Sequence, residues 1–297
     1  MSDDTCSSCS LAHEEDPGGS ASRQRFWLLV EQPGAWGRNA LLESKLPAAV
    51  STELEQRRRA ANVRVLLIRR GPGVEVPDDR RWAFVRATPE APAMGGGTFR
   101  DPEELLDLDL AALTDLSTPL PGTLGEPLLA VCTHGRHDRC CADNGRPVAR
   151  HLRQSGADAW ECSHVGGDRF AANVVSFPHG LFHGRVTPAS ALPLLHTYQH
   201  GQIHPAGFRG RGAYSPAAQQ AEIVLRHQLD DWHVDSLRLG PHTREDDRHT
   251  LAFTSTDGRE HVVVIDVGLA EEPRLLSCGN QKLGQPRTFS VVDVRLG

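Results

Sequence analysis

Residues 132–141 read CTHGRHDRCC, and residues 163–186 read SHVGGDRFAANVVSFPHGLFHGRV. With Cys162 just ahead of the second run, these stretches hold four of the chain's seven cysteines and add His134, His137 and His164. The interval between them is one helix long. Residues 127–131 (PLLAV) are a short continuous apolar run, the pattern of a buried strand. They deliver Cys132 at the strand's C-terminal end, where ligand-binding loops of α/β sheets cluster. Pro147 suits a first helical turn, so a helix is expected to open at Arg146 and to stop at Gly156. Residues 158–163 read as a second strand, followed by the glycine turn His164-Val165-Gly166-Gly167-Asp168. Residues 173–177 and 181–186 read as two more strands turned at Pro178-His179-Gly180, and a helix from Ser190 to Tyr198 closes the unit. This order of strand, helix, strand, hairpin and helix predicts a small thioredoxin-like sandwich, with its soft ligands after the first strand and in the next loop.

Upstream, residues 26–31 (FWLLVE), 63–70 (VRVLLIRR) and 81–87 (RWAFVRA) are short strand-like runs, with a polar–apolar segment over 46–61 between the first two. Together they predict a βαββ-like lobe. Its loop at 32–37 (QPGAWG) reads as a tight turn with Trp36 over the core, or as a segment packed near the cysteine–histidine stretch. Gly95-Gly96-Gly97 lacks the spacing of a phosphate loop and reads as a linker. Asp101-Pro102 opens an acidic surface helix over 103–116, and Pro119, Pro121 and Gly122 mark a boundary near residue 125. Downstream, Ser215-Pro216 opens a helix to about Leu229, and residues 232–239 read as a strand. Residues 251–267 read as a hairpin turned at Asp257-Gly258, and 289–294 as a last strand. Residues 1–24, rich in Ser, Gly and acidic groups, read as a disordered tail. The predicted organisation is an α/β chain: tail 1–24, N-terminal α/β lobe 25–125, thioredoxin-like lobe 126–206 and C-terminal α/β lobe 207–297.

At 297 residues the chain exceeds what one hydrophobic core usually serves, so several lobes are expected. Its 39% hydrophobic and 24% charged residues are those of a soluble globular protein with no membrane span. A net charge of -6 argues against nucleic acid, whose binders carry a concentrated basic face. Lys45 and Lys282 are the only lysines among many arginines, a genome-composition bias that carries a bacterial expectation. The first residues have neither the basic nor the apolar region of a secretory signal, so a cytoplasmic location is expected. In a reducing compartment, unevenly spaced cysteines point to metal binding, redox chemistry or burial, not to a disulfide scaffold. Cys6 and Cys9 form a CxxC without the strand and helix of a redox motif and read as incidental, and Cys278 carries no readable role.

Thiolates select zinc, copper(I) or iron–sulfur centres, and imidazole suits zinc and iron. Zinc is the first expectation by residue type, but C-x8-C followed by H-x3-D does not match the paired knuckles of common zinc sites. At these residues the chain resembles the sucrase/ferredoxin-like family. The likeness covers roughly residues 25–294 and is specific between Cys132 and Val186, where the hairpin V-V-x-x-P-x-G-x-x-x-G-x-V is also similar to thioredoxin-like [2Fe-2S] ferredoxins. It implies that the central lobe is a thioredoxin-like ferredoxin domain with a [2Fe-2S] cluster. It implies no glycosidase, and no carboxylate pair suited to sugar hydrolysis is present. Position by position, it implies Cys132 and Cys141 as thiolate ligands and His164 as an imidazole ligand. Asp168 falls where the family's H-x-G-G-H has its second histidine. Four outcomes fit that departure: Asp168 ligates, Cys140 or Cys162 substitutes, water or another group completes the shell, or no cluster is bound.

Beside these, Cys140 reads as a buried or outer thiol, Cys162 as core, His134 and His137 as loop histidines bonded to backbone, and His179 as structural. Gly166 and Gly167 permit a tight turn with close backbone approach. Arg169 is either solvated or hydrogen-bonded near the cluster. The implied function is one-electron transfer or redox sensing, by an electron carrier more than a turnover enzyme, with a redox partner protein that the pattern does not name. A cluster-free thiol oxidoreductase or sensor ranks second, since vicinal cysteines are poorly placed for a reversible disulfide and no CxxC opens the helix. A module with a structural zinc is the third reading. There is no nicotinamide or flavin fingerprint.

Overall fold

The computed structural model describes residues 5–122, 127–281 and 283–297. The first elements are α1 (Cys6–Ala12), β1 (Phe26–Glu31), α2 (Ala48–Ala60), β2 (Val63–Arg69), β3 (Arg80–Arg86), β4 (Ala93–Phe99) and α3 (Leu110–Thr114). Next come β5 (Leu128–Cys132), α4 (Arg139–Gln154), β6 (Ala159–Cys162), β7 (Val174–Phe177), β8 (Leu181–His183), α5 (Pro188–Gln199), β9 (Phe208–Arg211) and α6 (Pro216–Leu229). The chain ends with β10 (Leu237–Glu245), β11 (Arg248–Ser255), β12 (Glu260–Leu269), β13 (Arg274–Leu275), β14 (Leu283–Gly284) and β15 (Arg287–Arg295). Among the described residues, nine strands form one mixed sheet in the order β4-β3-β1-β2-β6-β5-β7-β8-β9. The protein is α/β, and the block β6-β5-β7-β8, with α4 after β5 and α5 after β8, follows the order expected of the central lobe. β2 joins that block to the N-terminal strands by pairing antiparallel with β6, Ile68 opposite Cys162.

Alternation along each strand sorts the side chains into layers. Leu28, Val30 and Leu67 meet Val50 and Leu54 of α2 on one outer face. Leu129, Val131 and Val174 meet Val148 and Leu152 of α4 and Leu194 of α5 on another. The inner face carries Trp27, Leu29, Leu66, Ala130, Cys132, Trp160 and Val175 in one cluster. Trp27 of β1 packs against Phe177 and Phe182 at centroid distances of 5.3 and 6.1 Å. Three strands separate β1 from β7 in the sheet, so this contact requires strong curling, with helices outside and a continuous apolar core inside. The C-terminal sheet, β10-β11-β12-β15, packs Leu251, Phe253, Val263 and Ile265 on the small face of α6 formed by Ala217, Ala218 and Ala221. That helix starts as expected, capped by Ser215, whose Oγ accepts from Ala218 N, with Pro216 in its first turn.

Several local expectations are corrected. α4 begins at Arg139, not at Arg146, because the Asp138 carboxylate accepts from Cys140 N (2.9 Å) and caps the helix; Pro147 lies inside it. Gly95–Gly97 is not a linker but the middle of β4, paired with Trp82, Ala83 and Phe84 of β3. Its missing side chains leave room for the Pro121 and Gly122 carbonyls. The acidic segment forms a 3-10 turn over Pro102–Asp107 and the short α3, not one helix. The last-lobe strand starts at Leu237, five residues later than expected. Residues 5–24, expected to be a disordered tail, are ordered: Thr5 caps α1, and Cys6, Ser7 and Ser10 are buried. Arg185 Nη2 bonds Glu15 O (2.5 Å) and Ser10 Oγ (3.1 Å), and Arg169 pairs with Glu15 (2.7 Å). Residues 1–4 of that tail, and the boundary near 125, lie outside the described residues.

Two histidines give the fold an acid sensitivity. His183 is buried, and its Nε2 donates to His204 O at 2.9 Å, which leaves Nδ1 without a partner. Burial pushes His183 down to about 4; burial and then Arg211 push His179 down to about 4 as well. An unfolded histidine titrates near pH 6.5, so between about 6.5 and about 4 the unfolded chain holds more protons than the folded one. Stability therefore falls as pH drops through that window, by about 1.4 kcal/mol per pH unit for each histidine fully titrating. Urea unfolding midpoints across the window are expected to decline steeply, and a flat profile would contradict the neutral state of the buried His183 and half-buried His179.

Candidate metal centre

The fold brings four residues from separate elements of residues 132–168 together. β5 ends at Cys132, whose N–H is held by Asn173 O at 2.9 Å. Cys141 lies in the first turn of α4, the helix that follows. The two approach because residue 145 is glycine: a methyl there would overlap the Cys132 carbonyl oxygen. His164 follows β6, and the Gly166-Gly167 turn, with φ of +94° and +79°, swings Asp168 back toward it. One donor atom each from Cys132, Cys141 and His164 lies within 4.8 Å of the others. Asp168 Oδ1 accepts from Cys141 Sγ at 3.2 Å and lies 3.0 Å from His164 Nδ1.

Charge is balanced across this group. A hydrogen bond from Cys141, and after it His164, hold Cys132 well below the usual thiol range against burial. The same bond, and burial, push Cys141 well above it. Burial pushes the Asp168 carboxyl up, but His164 and Cys141 hold it below the ordinary value. His164, pushed down by burial, is raised to about 9 by Asp168 and Cys132. Cys132 and Asp168 thus both favour the protonated ring of His164. Arg209 supplies a second cation from behind: it is fully buried, bonded to Gly166 O (3.0 Å), Asn173 Oδ1 (2.7 Å), Ser20 O (2.5 Å) and Ser20 Oγ (3.0 Å). Burial and then Arg169 push it down to about 9, so it stays charged at neutral pH. Gly167 is needed twice, since a methyl there would overlap this guanidinium.

The remaining candidates separate cleanly. Cys162 sits beside Cys132 in the parallel register and in the same inner core, and burial pushes its thiol well above the usual range. It belongs to no group of three donors among the described residues. Cys140, adjacent to Cys141 but about 100° away around the helix, faces Cys6 and Cys278 instead. His134 bonds backbone, as expected, through Gly37 O (2.7 Å) and His164 N (3.2 Å). Trp36 lies over the core and also edge-on to His134, so both readings of its loop hold. Arg169 is paired with Glu15, and His179 bonds Tyr198 Oη at 2.6 Å. His137 is the residue that sequence reasoning undervalued. Its ring stacks on His164 at 3.6 Å, and it forms a donor group with His164 and Asp168. The available signal was its place directly before the cap Asp138, which fixes it beside the turn that carries Cys141.

The profile of a sequence family described as sucrase/ferredoxin-like matches residues 17–210, a span that includes the whole of this group. The chain belongs to the sucrase/ferredoxin-like family. No curated protein and no solved structure matches the chain. Within this sucrase/ferredoxin-like protein, α1 and most of the C-terminal unit lie outside the matched span.

The donor set fits a metal. Two buried thiols, an imidazole and a carboxylate converge, and His164 Nδ1 is a buried nitrogen with no hydrogen bond, close to Asp168 but off the line of one. Such donors suit zinc or iron–sulfur chemistry. His134, His137 and His164 also line a cleft of about 530 Å³ with Arg38, Arg58 and Arg64, so the group is approached from its imidazole side. Gly145→Ala should force α4 off β5, lowering stability by about 1–3 kcal/mol and weakening metal retention. Urea unfolding and metal content after desalting check this; wild-type values for both would show that α4 is not clamped at Cys132. No helix among the described residues is long and apolar enough to cross a membrane.

Proposed function

We propose that this protein is a one-electron redox protein whose Cys132, Cys141 and His164, with Asp168 or His137 as the fourth donor, hold a [2Fe-2S] cluster. The convergence of Cys132, Cys141 and His164 in a buried group inside the family-matched span carries the reading. Such a cluster supplies one-electron uptake and release. The chain's own residues set the conditions. A neutral imidazole in place of a thiolate removes negative charge and so favours reduction. Arg209, buried and without a carboxylate partner among the described residues, favours it further. Asp168 acts the other way as a ligand, by adding a negative charge. The stacked His137 and His164 give a proton a place to reside on the cleft side, which links proton uptake to the electron. A redox partner protein would approach at the same cleft, whose lining mixes Arg38, Arg58 and Arg64 with Glu43 and Glu55.

The test is anaerobic purification with adequate iron supply, then iron, sulfide and zinc analysis, with visible absorption and EPR before and after dithionite. Bound iron and sulfide with a rhombic signal on reduction support the proposal. Absence of both iron and sulfide would sink it, and zinc bound at Cys132 and Cys141 would replace it with the structural-metal reading, which the compact grouping of three donors also fits. In iron-loaded protein, Asp168→His should raise the reduction potential, and comparing the spectra of Asp168→Ala and His137→Ala identifies the fourth donor.

A further inference from the structure

A second group of thiols meets on the far side of the same helical turn. Cys6 comes from α1, Cys140 from the start of α4, and Cys278 from the turn between β13 and β14. Cys140 Sγ lies 3.6 Å from Cys6 Sγ and 3.6 Å from Cys278 Sγ. The Asp138 carboxylate oxygens lie 3.9 and 3.8 Å from Cys6 Sγ, and one donor atom from each of the four residues falls within 4.8 Å of all the others. A tetrahedral zinc with Zn–S bonds of about 2.3 Å has its sulfurs about 3.8 Å apart, whereas a disulfide requires about 2.05 Å. The observed spacing is that of a coordination polyhedron's edge.

We propose that Cys6, Cys140 and Cys278, with Asp138 Oδ1 in the fourth position, form a closed zinc site distinct from the Cys132 centre. Hydrogen bonding pre-forms it. Asp138 Oδ2 accepts from Ser277 Oγ (2.8 Å), Cys278 N (2.6 Å) and Gly279 N (3.2 Å). Its Oδ1 accepts from Cys140 N (2.9 Å) and otherwise faces the Cys6 thiol at 3.9 Å, so its second lone pair points into the thiol group. Cys6 N donates to Cys278 Sγ at 3.1 Å, a bond that stabilises a thiolate. Gly279 lets this turn close on the chain, for a methyl there would overlap the His137 carbonyl oxygen. Cys6 and Cys140 are buried, with Ala171 and Leu275 packed around them. Three thiolates reject magnesium and calcium, and a carboxylate at the fourth corner favours borderline-soft zinc over copper(I). Four protein donors leave no open position, the mark of a structural site. Cys6 and Cys278 lie outside residues 17–210 while Asp138 and Cys140 lie inside, so the site joins this chain's flanking segments to the family-matched span. Its effect is to fasten both segments to the first turn of α4, through Asp138 and through Cys140 next to Cys141.

The test uses the full chain carrying Cys132→Ala and Cys141→Ala, so that its outcome is separate from that of the iron analysis. Titration with cobalt(II) should give one equivalent with thiolate-to-cobalt charge-transfer bands and the intense visible absorption of a tetrahedral ion, displaced by zinc. Adding Cys6→Ser or Cys278→Ser should weaken binding at least about tenfold, while Cys9→Ser, in the same helix, leaves it unchanged. A second measurement needs no further variant: zinc should protect Cys6, Cys140 and Cys278 from alkylation, read by peptide mass, but not Cys9. Absence of the thiolate–cobalt bands, or protection that extends equally to Cys9, would overturn the assignment.

Discussion

Cys132→Ala should abolish the colour, iron and sulfide that the proposed cluster gives the wild type, while its far-ultraviolet circular dichroism stays that of the wild type. Cys132 is fully buried at the end of β5 and is one of the group's two thiol donors. Alanine keeps the strand intact and costs little packing, which separates loss of the metal from loss of the fold. Cys141→Ala should behave alike. Cys162→Ala is the matched control, equally buried and adjacent in register, and should keep its iron. Cys140→Ala should keep it too, because that thiol faces Cys6 and Cys278. Loss of iron in Cys162→Ala with retention in Cys141→Ala would reassign the ligand set. Colour, iron content and dichroism on one preparation decide the matter.

The second large effect lies far from the thiols. Glu222 of α6 is buried between Arg211 at 2.8 Å and Arg226 at 2.9 Å. Burial alone would push its carboxyl up, but the two guanidinium groups hold it below the ordinary value. Other arginine donors go to backbone and to Ser236, among them Arg226 Nη1 to His233 O (2.8 Å) and Ser236 Oγ (3.2 Å), and Arg211 to Val234 O. Glu222→Ala leaves two buried cations with no anion, which should cost about 3–5 kcal/mol. Replacing all three residues by apolar side chains of similar volume should recover much of that loss, since the desolvation penalty goes with the charges. Urea unfolding of the single and triple variants measures both. A single variant within about 0.5 kcal/mol of wild type would mean that the cations are hydrated in place.

What the chain disclosed by inspection was local. β5, the β7–β8 hairpin, α6 and the β11–β12 turn were legible because Pro, Gly and capping residues punctuate apolar runs of the right length. Cys132, Cys141, His164 and Asp168 were legible as candidates because they lie close together in a short stretch of chain, in motifs with a recognisable pattern. The start of α4 was misread because Pro147 offers a plausible first turn, while the true cap, Asp138, is surrounded by loop-like residues. β4 was hidden because three consecutive glycines carry no alternation to read. α1 was hidden for a related reason: Cys6, Ser7 and Ser10 are buried yet small, so composition alone resembled a tail. The group at Cys140 could not be seen at all, since its members are brought together across 134 and 138 positions by tertiary packing that no local period records.

Two thiols joined by a single peptide bond therefore mature at different moments of synthesis. The partner that Cys141 meets in Asp168 follows it by 27 positions, so that environment can assemble while the C-terminal sheet is still untranslated. The partner that Cys140 meets in Cys278 arrives 138 positions later, near the end of the chain. In the nascent protein the first turn of α4 is thus half furnished for a long interval, and its second face closes only as the last strands leave the ribosome.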